Sequence, residues 1–365
     1  MMKIIIPALL LLSIMLSCVV IKSPPLGETN FPLKQLLTMP VNGDIKQIAV
    51  SDTWIAVHTQ NKIIAIDLND YKTLWSTDFP VVTSEGSKFQ IINDVLVVIS
   101  ENQIMALNKL GQKKVINFKI SKDDINILKL VAVYPNYIYV VRGTQRILEA
   151  YDISRNVLMW KTVLGPGSSD VFLDSAKNIT YVTSSYNAIR ALDNSTGTLI
   201  WKHEGSVLQG ILESGILYVY QELAEQNHYR VAAIDVESQS DLWSKDFTFF
   251  SDEGVNKLTV IGNLLLLSGE DLIALNKSGG QQIWRVNVGE NFYTSPVEFN
   301  KILYAKAGTS RTVYAISPSD GAILGLVKLE TVELFDGDDT INGVYVLKDG
   351  IVFNTKSSIV FYKSK

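Results

Sequence analysis

The side chains able to do acid–base, nucleophilic or metal chemistry are few and scattered. The 365-residue chain carries three histidines, His58, His203 and His228, and one cysteine, Cys18. Histidines so far apart do not form the close ligand spacing of a zinc site. One thiol excludes an intramolecular disulfide framework and a four-thiolate zinc site. The most acidic stretch, Asp336-Gly337-Asp338-Asp339, lacks the ligand spacing of a known Ca²⁺ loop and reads as a solvated connection between strands. There is no Gly-x-Ser-x-Gly elbow, no His-Glu-x-x-His and no glycine loop to cradle phosphate. His203 follows Trp201-Lys202 and is expected on an outer strand, partly exposed. His228 falls in the polar stretch Gln221 to Arg230, which reads as a long hairpin loop. Asn178-Ile179-Thr180 and Asn194-Ser195-Thr196 spell glycosylation sequons, but suit strand and turn composition equally well. The expectation is therefore no catalytic, cofactor or metal centre.

Composition narrows the class further. At 47% hydrophobic the chain can bury a large core, which excludes global disorder. A net charge of −4, with no block of basic residues, argues against nucleic acid as a partner. At the N-terminus, Lys3 precedes an apolar run from Ile4 to Leu16, the pattern of an export signal. The run ends in Met15-Leu16-Ser17-Cys18, which resembles a bacterial lipobox, whose cysteine is lipidated and becomes the mature N-terminus. Two alternatives stand beside lipidation at Cys18: an uncleaved anchor, since the apolar run continues to Ile21, and simple secretion. All three export the body of the protein. Val19 to Asn30, with Pro24, Pro25 and Gly27, reads as a tether.

A tandem repeat organises the rest. Strands ending in Ala-apolar-Asp/Asn recur at Ala65, Ala106, Ala150, Ala191, Ala233 and Ala274, with a degenerate copy at Ala315. The alanines are 41, 44, 41, 42, 41 and 41 residues apart. Ten residues after the alanine stand Trp75, Trp160, Trp201, Trp243 and Trp284, while Ile116 and Gly325 fill that place in the other two copies. Turn residues lie between, including Gly197 and Gly280, so each copy predicts a hairpin. Further β-rich runs precede each alanine: Ile48 to Val57, Val95 to Ile99, Tyr137 to Val141, Gly215 to Tyr220 and Leu264 to Leu267. A period of ~40–45 residues holding four short strands is the propeller blade. Three strands between residues 340 and 363 supply an eighth unit, and the orphan segment Leu33 to Met39 can complete it, closing the ring. The predicted fold is all-β, an eight-bladed propeller of four-stranded antiparallel blades, with seven blades as the alternative. The domain plan is a signal peptide at 1–17, a lipidated N-terminus and flexible tether at 18–30, and the propeller at 31–365.

The copy Ala191-Leu192-Asp193-Asn194-Ser195-Thr196-Gly197-Thr198-Leu199-Ile200-Trp201 resembles the repeat of the pyrroloquinoline-quinone (PQQ) propellers, Ala-x-Asp-x-x-Thr-Gly-x-x-x-Trp. That repeat is shared by quinoprotein alcohol dehydrogenases and by the BamB lipoproteins of the outer-membrane β-barrel assembly machine. The resemblance covers roughly residues 33 to 363. It implies that the repeat alanines, glycines and tryptophans are structural, locking neighbouring blades by packing. Trp54, outside the repeat register, is expected in a core strand. The dehydrogenases are much longer and carry adjacent cysteines over the quinone with Ca²⁺ beside it; this chain has one cysteine. Likeness to BamB implies a non-catalytic, lipid-anchored scaffold, monomeric within a complex, at the periplasmic face of an outer membrane or at a cell surface. Its protein partner would be a barrel-assembly subunit. Val19 directly after Cys18 suits outer-membrane delivery. The partner-contacting Leu-x-Leu-Arg-Gly stretch has its nearest match in Val207-Leu208-Gln209-Gly210, with Gln209 in place of arginine. Another ligand-binding or sensing propeller is the alternative function, and a quinoprotein enzyme a further one.

Overall fold

The computed structural model describes residues 20–21, 31–79, 89–100, 103–117, 128–134, 137–142, 146–152, 154–155, 157–164, 170–184, 188–223, 228–248, 255–308, 312–328 and 343–364. These form eight sheets built from consecutive antiparallel strands, with no helix among them. Blade 1 comprises Ile45–Val50, Trp54–Thr59, Lys62–Asp67 and Thr73–Asp78. Blade 2 comprises Gln90–Ile92, Val95–Ser100, Gln103–Asn108 and Lys113–Asn117; blade 3, Leu128–Val133, Tyr137–Arg142, Ile147–Asp152 and Val157–Val163. Blade 4 holds Val171–Asp174, Ile179–Val182, Ala188–Asp193 and Leu199–Glu204; blade 5, Gln209–Glu213, Ile216–Glu222, His228–Asp235 and Ser240–Thr248. Blade 6 holds Val255–Ile261, Leu264–Gly269, Leu272–Asn276 and Gln282–Val286; blade 7, Val297–Phe299, Ile302–Ala307, Thr312–Ile316 and Ile323–Lys328.

Blade 8 takes three strands from the C-terminus, Gly343–Leu347, Gly350–Asn354 and Ser358–Ser364, and its fourth, Leu33–Pro40, from the other end of the chain. Pairing of Leu33–Pro40 with Ser358–Ser364 joins the ends of the ring and covers an open sheet edge. Phe31 completes the seal, its ring edge-on to Tyr304, Phe353 and Tyr362. The ring therefore has eight blades rather than seven. A two-residue strand, Val20–Ile21, runs parallel to Gln282–Val286 at the outer edge of blade 6.

Burial follows from stacking sheets face to face around a ring. The middle strands are covered on both sides, so they read as continuous apolar runs; Leu264–Gly269 is buried along its whole length. Outermost strands alternate instead, as in Ser240–Thr248. The chain's reversals place every hairpin between first and second strands, and every turn between third and fourth, on one face of the ring. The described hairpins between second and third strands, such as that between Gly269 and Leu272, open on the other.

Three local readings change. Ile48 to Val57 is two strands, because Ser51 turns the chain and accepts the backbone N–H groups of Thr53 and Trp54. Around His228 the paired strands extend to Glu222 and Tyr229, so the hairpin loop is shorter than the polar stretch. In blade 2, Ala106 pairs with Lys114 rather than with Ile116. The turn there closes from Asn108 to Gln112, one residue tighter than Asn276 to Gln281 in blade 6, and the bulge of the other copies is lost.

Candidate functional site

Five alanines face five tryptophans across the third and fourth strands: Ala65 with Trp75, Ala150 with Trp160, Ala191 with Trp201, Ala233 with Trp243 and Ala274 with Trp284. A bulge follows the alanine in each pair, which is why the tryptophan stands ten residues on. The indole reaches into the following blade. Its N–H donates to a turn carbonyl there: Trp75 to Lys109 (2.9 Å), Trp160 to Asn194 (2.5 Å), Trp243 to Lys277 (2.9 Å) and Trp284 to Pro318 (2.8 Å). The turn glycine lies flat on the ring. A Cβ on Gly197 would stand 2.7 Å from Trp160, and one on Gly280 2.5 Å from Trp243, and both glycines have φ of +72°. Glycine is needed there for left-handed backbone and for close approach together.

Across the alanine on its other side lies a second aromatic that the repeat motif does not reveal. Tyr139, Tyr181 and Tyr218 pair with Ala150, Ala191 and Ala233, and tilt against the tryptophan of their own blade at 5.8–6.4 Å between ring centroids. Trp54, fully buried, does the same with Trp75 at 6.0 Å. Hairpin loops of different length separate these aromatics from the alanine, so they keep no fixed spacing. Ala150, Ala191 and Ala233 are small because large rings flank them on both sides, whereas Ala65 meets Ala56 and Ala274 meets Leu266 on that second side. These residues make separate blade-to-blade docks and do not converge on one site.

The remaining candidates also stay apart. Cys18 and Asp336 to Asp339 lie outside the described residues. His58 is fully buried, its ring 5.4 Å from both Phe79 and Phe89, and neither nitrogen has a hydrogen-bond partner among the described residues. Burial, aided by Lys46, lowers its pKa to about 4. His203 stands on the outer strand of blade 4, 3.9 Å from Asp241 of blade 5. Among the described residues no three His, Cys, Asp or Glu side chains are grouped to hold a metal ion. Asn194 is buried, and its carbonyl Oδ1 accepts from Tyr139 (2.5 Å) and Thr180 (2.8 Å), so that sequon is closed to modification.

Val207-Leu208-Gln209-Gly210 runs from blade 4 into blade 5. Val207 is buried, Gln209 Oε1 accepts the backbone N–H of Leu258 in blade 6 (3.0 Å), and a Cβ on Gly210 would stand 3.2 Å from Phe172. On the opposite face an open groove of about 460 Å³ separates the first hairpins of blades 4 and 5, lined by Asp174, Lys177, Ser214, Asp235 and Glu237.

The comparisons agree with this architecture. Among solved structures, BamB from Moraxella catarrhalis superposes with a TM-score of 0.65 at 13% identity, over 91% of this chain and 99% of that one. The computationally designed Ika8 protein gives 0.67 at 14% identity, over 88% and 97%. The quinohemoprotein alcohol dehydrogenase from Comamonas testosteroni gives 0.64 at 11% identity, over 91% and 76%. Likeness at such identities establishes the shared fold. No curated protein matches the chain by sequence. The family model described as outer membrane protein assembly factor BamB matches residues 125–249 and 227–324, which run from the start of blade 3 into blade 7. Those matches span more than half of the chain, which thus belongs to the BamB family of PQQ-like propellers.

Proposed function

We propose that the protein is a non-catalytic extracytoplasmic scaffold for protein–protein contacts in outer-membrane protein assembly. It acts as a monomer within a complex, held by a lipid on Cys18 to the periplasmic face of the outer membrane, with residues 1–17 removed as a signal peptide. The family match across blades 3 to 7 carries this reading. A closed ring supports it physically: its rigidity comes from blade-to-blade docks, which leaves loops on both faces to meet partners. At the Val207–Gly210 seam Gln209 is engaged with blade 6, so a partner on that side would rely on neighbouring loops for its charged contacts.

The test is affinity purification of the tagged protein from detergent-solubilised native membranes, with mass spectrometry of what accompanies it. Stoichiometric recovery of an outer-membrane barrel-assembly protein is expected. Recovery of none would overturn the assembly role, and quinone absorbance in the eluate would favour the dehydrogenase-like alternative. Cys18→Ala should release the protein from membranes; unchanged retention would point to an uncleaved anchor.

A further inference from the structure

At the described positions, the residue after Ala-apolar-Asp/Asn meets the preceding blade, and its identity differs from interface to interface. In blade 2 it is Lys109, whose ammonium sits 2.8 Å from Asp67 of blade 1 and donates to the Thr53 carbonyl. In blade 6 it is Lys277, 2.7 Å from Glu213 at the end of the first strand of blade 5. In blade 5 the same position is Val236, buried and apolar. The counterpart of Glu213 is then Asp174, at the end of the first strand of blade 4, facing the groove between blades 4 and 5. Among the described residues neither Asp174 nor Asp235 has an ion-pair partner; Lys177, on the rim, pairs with Glu237 at 2.8 Å.

A second observation points the same way. Beneath this groove Tyr181 is fully buried and its hydroxyl has no hydrogen-bond partner among the described residues. Tyr181 packs with Val236 and Leu217, the places that Asn194 and Thr180 fill around Tyr139, so its hydroxyl lies at the seam behind the groove. An unsatisfied buried oxygen costs stability, and here it lies behind a groove whose three carboxylates, Asp174, Asp235 and Glu237, face one ammonium, that of Lys177. The excess of acceptors matches a hydrogen-bond-donating cation.

We propose that the groove between blades 4 and 5 receives a lysine side chain from a partner protein, its ammonium standing against Asp174 as Lys277 stands against Glu213. The inference rests on the scaffold reading for the existence of a protein partner and names what that partner must present.

The test uses the full-length protein in detergent micelles and a fluorescein-labelled Ala-Lys-Ala-Lys-Ala peptide, read by fluorescence polarisation at low salt. Affinity should fall about fivefold when the lysines are acetylated, and as much in Asp174→Asn. Val236→Lys should fill the groove from within and weaken binding similarly. Asp320→Asn, a carboxylate on the turn between the third and fourth strands of blade 7, should bind as the parent does. Equal affinity for the acetylated peptide, or no change in Asp174→Asn, would overturn the proposal. Asp174 is at the surface, so that result does not depend on a variant that fails to fold. The two readings fail separately. Recovery of an assembly protein alongside an insensitive peptide assay sinks the groove alone, whereas a discriminating groove with no assembly protein recovered sinks the assembly role.

Discussion

The interfaces of blade 4 with its two neighbours use the same parts to opposite effect. Toward blade 3, Tyr139 finds Asn194 and Thr180 waiting, and the three buried polar groups satisfy one another. Toward blade 5, Tyr181 occupies the equivalent place, but the residues at those two positions are Val236 and Leu217, and its hydroxyl is orphaned. Both tyrosines pair with the repeat alanine, and both lean on a repeat tryptophan. Packing is thus repeated from blade to blade while polar satisfaction is decided interface by interface. The first interface satisfies its polar groups internally, and the second, which does not, borders the acidic groove.

The most drastic way to break the blade 3–4 side is to remove its dock. Trp160→Ala deletes a buried indole and its bond to Asn194, and should cost about 3–5 kcal/mol in denaturant unfolding. A loss below about 1 kcal/mol would show that the indole is not what holds the blades together.

His58 extends the comparison to blades 1 and 2, where a buried group is again unpartnered. Burial lowers its folded pKa from 6.5 to about 4, so as pH falls the unfolded chain binds the proton first. Its contribution to stability is intact above pH 6.5 and is lost between 6.5 and 4, on the order of 3 kcal/mol in total. His58→Phe should flatten that part of the pH–stability profile; an unchanged profile would place the acid sensitivity elsewhere.

Asn194→Leu imports the blade 5 solution into blade 4, and should cost about 1–3 kcal/mol by removing the acceptor that the Tyr139 and Thr180 hydroxyls share and leaving them only each other. The smallest effect belongs to Tyr181→Phe, which removes an orphan and should leave the melting temperature unchanged or raise stability by up to about 1 kcal/mol. Equal costs for these two substitutions would erase the contrast between the interfaces.

Much of this fold is legible without coordinates, because a tandem repeat states the same hairpin many times. Alanine and tryptophan ten residues apart, with a glycine turn between them, mark the third and fourth strands directly. The blade 2 register was harder to read: shortening a turn by one residue removes a bulge, and spacing counts alone do not distinguish bulged from regular pairing. The tyrosines were hidden for a related reason, since variable hairpins separate them from the alanine they flank.

The sequence by itself determined the class, the repeat and the closure of the ring, since Leu33–Pro40 has no other strand to complete. All of these follow from local periodicity and from the need to bury apolar strands and cover edges. What only the tertiary structure decided is which side chain of one blade meets which of the next. Lys109, Asn194, Val236 and Lys277 hold the same place in their repeats, yet one position yields an ion pair, a hydrogen-bond network or an unfilled groove. The outcome depends on a partner in the preceding blade, 42 residues earlier for Lys109, 55 for Asn194 and 64 for Lys277, and only the stacking of the blades brings the two within reach.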